Sequence, residues 1–350
     1  MTEKLPLFDR IPLQLRALYE RCGYQKYRMD KFETYDTYRE NKSFLTGERI
    51  ITFTGAGGRL MALKPDVTLS IIKNVAPEAV RVKLFYDENV FRMKKSDGEV
   101  REIGQTGLEY IGADDAFSEA EVVILAARSL ALLDENYLLN IGHMGFLAGI
   151  FGDSNLNEEL LAALAGKNRA ALAVICGDEE LAQTLCTLCE KPTKDLTFLK
   201  GLVKNERTQA AFDELKALAA LLCAAGLEKW IRIDFSTVNS PDYYNGIVMR
   251  GYISKAASAV LAGGRYDGLM RRFDKPQNAI GFAIYLGELE RVFYEPQEFD
   301  TDILLVYGNC DPCEVLQKAE EMRAHGFSVR AEKDQSAGVR AKKTIVMGDL

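Results

Sequence analysis

Residues 240–269, SPDYYNGIVMRGYISKAASAVLAGGRYDGL, decide the architecture. Two β-rich runs, YNGIVMRGYI and SAVLAGG, flank a short polar link, which is the pattern of paired strands. WIRIDFS (230–236) reads as another strand just upstream. GFAIYLGELERVF (281–293), just downstream, reads as a helix. Farther out, VKLFY (82–86), NVFRM (89–93) and GQTGLEYIG (104–112) are short β-rich runs separated by turn residues. Residues 50–64 read strand, turn, strand: IITFT, GAGG, RLMALK. Their glycines at 55, 57 and 58 are assigned to a hairpin turn. A phosphate loop would lead into a helix N-terminus, and strand-like sequence follows here.

Helices surround these strands. The chain opens with one that carries Pro12 in its first turn, repeats Ile11, Leu15, Leu18 and Cys22 at helical spacing, and stops at Gly23. Ser118 and Glu121 form a capping box for a second helix, from Glu119 to about Leu133. Residues 151–228 are rich in Ala, Leu, Glu and Lys and poor in β-branched runs, the mark of a helical insertion. From about 300 the order is strand DILLVYG, helix CEVLQKAEEMRAH, strand SVRAE and strand TIVMG, a small α/β segment. The expected domains are therefore 1–298, with the insertion inside it, and 299–350. The fold class is α+β.

Composition excludes several classes of function. Of 350 residues, 47% are hydrophobic and 27% charged, as in ordinary globular chains and unlike a disordered one. The longest apolar stretch, Ala217 to Leu227, is far short of the ~20 residues that span a bilayer. The start, MTEKLPLFDR, has no signal-peptide core, so the expected location is cytoplasmic, with no membrane partner. A net charge of −7 does not favour nucleic acid as the main partner. The seven cysteines are scattered, which suits a reducing compartment. Cys186 with Cys189, and Cys310 with Cys313, have CxxC spacing. Far apart in the chain, and with only His143 and His325 to supply imidazole, they read as small apolar residues rather than zinc ligands. No metal site and no cofactor is expected.

LKPDVT (63–68), FRMKKSDGEVREIGQTGLEYIG (91–112), SPDYYNGIVMRG and GGRYDGL together resemble histidyl-tRNA synthetase, in order and spacing, along most of the chain. The resemblance implies the class II aminoacyl-tRNA synthetase fold, an antiparallel sheet flanked by helices. It also implies a homodimer formed through the N-terminal region of the core. It carries a histidine pocket onto seven positions. Asp66, Thr68 and Gln105 match those that recognise an α-amino group. Glu109 and Tyr244 match those facing the imidazole. Arg92 matches the motif 2 arginine, able to pair with a carboxylate, and Tyr266 lines the same pocket. These residue types fit the ligand: its ammonium wants carboxylates, its ring a carboxylate or hydroxyl, its carboxylate an arginine.

The positions that adenylation would need depart from the synthetase. An acidic residue is replaced by Lys94, and a catalytic arginine by Asn239. Loss of one such transition-state donor costs ~3–4 kcal/mol. In motif 3, Tyr285 stands for a glycine and Glu288 for the arginine that binds the ATP γ-phosphate. A unit charge at about 4 Å is worth on the order of 4 kcal/mol at an effective dielectric of 20, so Glu288 would repel a phosphate. Using Arg291 instead requires an insertion within a helix. Residues 299–350 resemble only the start of an anticodon-binding domain. These departures resemble the regulatory subunits of ATP phosphoribosyltransferase, a family related to the synthetase. That resemblance implies no catalytic residue in this chain, a short-form catalytic subunit as partner in a hetero-octamer, and feedback inhibition by L-histidine in histidine biosynthesis. The alternatives are a divergent histidine–tRNA ligase and a stand-alone histidine sensor.

Overall fold

The structure is a computed structural model. It describes residues 7–39, 48–76, 80–94, 97–152, 155–190, 196–238, 243–293, 298–335 and 338–348. The chain divides into two compact units, Met1–Phe293 and Tyr294–Leu350. The sequence had placed this boundary at 298/299.

The first unit opens with α1 (Leu7–Arg21). Pro12 lies inside this helix rather than in its first turn. Gly23, at φ +83°, ends it, as the sequence indicated. Next come β1 (Gln25–Lys26), β2 (Phe32–Thr34), the short α2 (Asp36–Arg39) and β3 (Glu48–Arg49). β4 (Thr52–Thr54) and β5 (Leu60–Leu63) form the expected hairpin, turned by Gly57 and Gly58 at positive φ. After α3 (Val67–Asn74) comes β6 (Val82–Lys94), which joins the two short runs read in sequence into one thirteen-residue strand. Its would-be turn residues stay in the ladder because they find partners. Thr106 donates to Asp87 at 3.1 Å, and Lys64 pairs with Glu88 at 2.8 Å.

β7 (Val100–Ile111) and α4 (Ala116–Leu133) follow. Helix α4 starts earlier than the sequence indicated. Asp115 is its cap, accepting from the Ser118 amide at 2.8 Å, while Ser118 accepts from the Asp115 amide. Glu121 instead binds Lys83 at 2.7 Å. Then come β8 (Tyr137–His143) and α5 (Met144–Phe151), followed by the helical stretch α6 (Glu158–Ala165), α7 (Arg169–Cys176), α8 (Glu179–Glu190) and α9 (Glu206–Ala224). Strands resume with β9 (Ile231–Ile233), β10 (Ile247–Ile253) and β11 (Leu261–Arg265). After α10 (Asp267–Arg272), the run read as one helix splits into β12 (Ala279–Tyr285) and α11 (Leu286–Phe293). β12 is apolar throughout and buried at mid-sheet, so it lacks the alternation that marks a half-buried strand.

Among the described residues, nine strands form the main sheet, in the order β1-β6-β7-β12-β11-β10-β8-β9 with β3 on β6. The pairs from β6 to β8 are antiparallel, and parallel pairing occurs only at the two ends, β1 on β6 and β9 on β8. One core, with Leu15, Phe85, Leu130, Phe146 and Phe282, includes helices α1, α4 and α5 on this sheet. A second, with Ile71, Tyr86, Val90 and Leu269, packs α3 and α10 on it. Cys186 is buried in the first core.

The second unit contains β13 (Thr301–Val306), α12 (Pro312–Ala324), β14 (Val329–Glu332) and β15 (Ala341–Val346), as the sequence alternation indicated. Its strands are parallel in the order β14-β13-β15, and Val315 and Ala319 of α12 pack on Leu305. Asp311 caps α12 in an extended conformation, leaving Cys310 outside the helix and Cys313 within it, both as free thiols.

Candidate functional site

Pairing register builds the floor of a cavity. Glu109 of β7 lies opposite Gly281 of β12, Gly107 opposite Ala283, and Gln105 opposite Tyr285. On the next strand, Gly264 faces Gly281 and Ala262 faces Ala283. The middle of the sheet is thus paved with glycine and alanine, and the missing side chains make the hollow. A Cβ on Gly281 would lie 1.7 Å from Glu109 Oε2, and one on Gly107 2.6 Å from the Tyr86 hydroxyl. The cavity measures about 160 Å³ and is walled by Tyr86, Tyr243, Tyr244, Tyr266 and Tyr285. Burial is the main cause that holds the Tyr86, Tyr243, Tyr244 and Tyr266 phenols well above their ordinary range, so they act as neutral hydroxyls.

Glu109 sits at the closed end, 2% exposed. Thr68 donates to one of its oxygens at 2.6 Å and Tyr266 to the other at 2.7 Å. Burial pushes its carboxyl up to about 8, against those two bonds, and nearby Asp66 adds to the rise. Asp66 is the N-cap of α3, accepting from the Leu69 amide at 2.9 Å. Its other oxygen faces Arg92 Nη2 at 3.6 Å, and Arg92 Nε donates to the Pro65 carbonyl at 2.7 Å. Gln105 is buried on the same face. The cavity therefore offers the Arg92 guanidinium on the side it shares with solvent-facing residues, the buried Glu109 carboxyl, and Asp66 and hydroxyls.

All seven positions singled out in the sequence, Asp66, Thr68, Arg92, Gln105, Glu109, Tyr244 and Tyr266, line this one cavity. Tyr86, Tyr243, Gly281 and Ala283 were missed. For Gly281 and Ala283 the signal was their two-residue spacing with Tyr285, hidden once that run was read as helix, whereas Tyr86 and Tyr243 reach the cavity through strand pairing and packing that no local pattern shows. Asn239 lies outside the described residues. Lys94 pairs with Glu99 at 2.8 Å.

A second, outer cavity of about 600 Å³ lies against Arg101, Glu102, Ser258, Glu288 and Arg291. Glu288 accepts from Ser258 at 2.9 Å and lies 3.8 Å from Arg291, a largely exposed side chain. Behind Tyr266, Arg265 gathers three carboxylates: Asp267 at 2.7 Å, Glu119 at 2.7 Å and Glu214 of α9 at 3.6 Å. His143 shares Glu214 at 2.9 Å, a bond that lowers the Glu214 carboxyl, while burial raises Glu119 to about 7. Among the described residues, no three His, Cys, Asp or Glu side chains are grouped to hold a metal, and no helix is long and apolar enough to cross a membrane.

The family model described as histidyl-tRNA synthetase matches residues 7–289. The chain is 32% identical to the ATP phosphoribosyltransferase regulatory subunit of Moorella thermoacetica, covering 94% of this chain and 90% of the relative. It is 29% identical to that of Clostridium kluyveri, covering 89% and 86%. Among solved structures, an ATP phosphoribosyltransferase regulatory subunit/histidyl-tRNA synthetase from Bacillus halodurans matches with a TM-score of 0.79 at 23% identity, covering 97% of this chain and 93% of that one. Apo histidyl-tRNA synthetase of S. aureus matches with a TM-score of 0.63 at 20% identity, covering 97% and 87%. At such identities a structural likeness speaks for the fold, and function has to be argued from the site.

Proposed function

We propose, because this chain belongs to the family of ATP phosphoribosyltransferase regulatory subunits, that the cavity around Glu109 takes free L-histidine and that the chain passes this binding to a separate catalytic subunit. The chain's own role is regulatory and non-catalytic. The observation that carries the ligand is Glu109, a buried carboxyl in a small cavity, held by two hydroxyls, which keeps its proton while the site is empty and becomes a carboxylate when a ligand brings an N–H or a positive charge to it. It is a partner for an imidazole N–H. Asp66 then suits the α-ammonium, with Thr68 and Gln105 nearby, and Arg92 suits the carboxylate. Size supports the same reading. At about 160 Å³ the cavity is well below the roughly 300–1,000 Å³ of drug-sized ligand sites, which points to a small metabolite. The inner cavity has no room for a nucleotide beside the amino acid, and the outer cavity sets Glu99, Glu102 and Glu288 against Arg92, Arg101 and Arg291, so its lining carries no net positive charge for phosphates.

The catalytic partner is a short-form ATP phosphoribosyltransferase subunit, in a cytoplasmic hetero-octamer that joins neither nucleic acid nor membrane. Histidine inhibits that complex only by binding two of its states with different affinity. The dimer face we assign to the three-stranded sheet β2-β5-β4, where Phe32 and Phe53 stand exposed with their rings 5.5 Å apart.

Calorimetric titration of the purified chain with L-histidine, then with ATP and magnesium, tests the reading. Heat with histidine and none with ATP is expected. Adding this chain to the short catalytic subunit should switch on phosphoribosyl-ATP formation, and histidine should lower it. Strong ATP binding together with histidine-dependent pyrophosphate exchange would make the chain a ligase. A catalytic subunit fully active alone would remove the regulatory role.

A further inference from the structure

Arg92, Gln105 and Tyr285 line both the inner and the outer cavity. They are the partition between a space of about 160 Å³ and one of about 600 Å³. On the cavity face, β12 reads Gly281, Ala283, Tyr285, so the floor is open for two positions and closed at the third. The position from which the ring closes the floor is fixed by the backbone. Tyr285 pairs with Gln105 on β7, its amide donates to the Val260 carbonyl at 2.9 Å, and α11 begins at the next residue. The ring cannot be withdrawn by sliding the strand, because register ties Gly281 to Glu109 on the same ladder.

We propose that Tyr285 is a specificity-determining residue that makes this site select an amino acid with a free carboxylate and refuse one extended through its carboxyl group. The proposal rests on the amino-acid reading given above. The guanidinium that suits the ligand carboxylate, Arg92, stands at the same partition. A carboxyl group derivatised as an amide or mixed anhydride would therefore have to pass through the tyrosine ring. Selectivity of this kind comes from a built-in clash rather than an added attraction. In a complex regulated by the level of a free amino acid, the wall would keep peptides and activated carboxyl derivatives from being counted as that amino acid.

The probe is the dipeptide L-histidyl-glycine. It keeps the imidazole and the α-ammonium and carries its carboxylate one residue farther on. Calorimetric titration of the full chain should show histidine binding and dipeptide affinity lower by about a hundredfold or more, the scale of a steric pocket limit. Tyr285→Gly should join the two cavities and bring the dipeptide to within about tenfold of histidine. Tyr285→Phe keeps the bulk and should reject the dipeptide like the wild type. Should the glycine variant not fold, Tyr285→Ala carries the same expectation in weaker form, and the wild-type ratio needs no variant. Dipeptide accepted by the wild type nearly as well as histidine overturns the wall while leaving the amino-acid site standing. So does a glycine variant that binds histidine and still refuses the dipeptide. If wild type and variants all fail to bind histidine, the amino-acid reading falls and the wall falls with it.

Discussion

Glu109 is stored at a cost. Moving a buried carboxyl from its ordinary 4.5 to about 8 withdraws on the order of 4–5 kcal/mol of folding stability at pH 8. The sign follows from proton counting. Between pH 4.5 and 8 the folded chain holds this proton more firmly than the unfolded one, so stability falls as pH rises through that window. Glu109→Gln has no charge to bury and can still engage Thr68 and Tyr266. It is expected to raise the melting temperature of the empty chain, clearly at pH 8 and little at pH 5, and to abolish histidine binding. An equal gain at both pH values would show that the carboxyl is not the source of the strain. Such a group, destabilising when empty and useful when filled, is what a binding site looks like. Its residue types were legible from motif resemblance. The tyrosine walls and the glycine floor were not, because they follow from which strand faces which.

At the scale of the element, Asp66 has two tasks that chemistry can separate. One oxygen caps α3 and the other faces Arg92. Asparagine caps a helix as well as aspartate does, whereas alanine loses about 1 kcal/mol. Asp66→Asn is therefore expected to melt near the wild type while binding histidine at least tenfold more weakly, since a neutral amide replaces the charge facing the ammonium. Asp66→Ala should lose both stability and binding. Paired denaturation and calorimetry decide, and an asparagine variant with wild-type affinity would remove Asp66 from the site. The elements misread in sequence fail for one physical reason. Local pattern does not include the partner across the sheet. Asp87 and Glu88 look like turn residues until Thr106 and Lys64 hold them in β6. The run at 281–285 looks helical until neighbours on both sides bury it.

For the whole molecule, every side chain lining the cavity belongs to the unit that ends at Phe293. The second unit has its own small core around Leu305. A chain of residues 1–293 is expected to unfold cooperatively and bind histidine within about threefold of the full chain, as for a domain with its own core. Loss of binding on that truncation would assign residues after 293 a part in the site. The order of elements along both units was largely legible, because their alternation survives in the sequence even where individual boundaries shift. Which strands become neighbours was not legible: the family resemblance implied an antiparallel sheet, and its order is a property of the fold.

The sheet order carries one last consequence, in the time it takes to form. β7 and β12 are neighbours, yet α4 to α9 lie between them in the chain. The loop that closes over that insertion must shut before Glu109 meets Tyr266, which makes the cavity a late product of folding. A ligand that needs both walls cannot guide the search for them, and acts only on escape from the finished state. Saturating histidine is therefore expected to slow unfolding in stopped-flow chevrons and leave the refolding arm where it was. A refolding arm that quickened with histidine would mean the two halves of the sheet meet at the barrier, before the rest of the chain has settled.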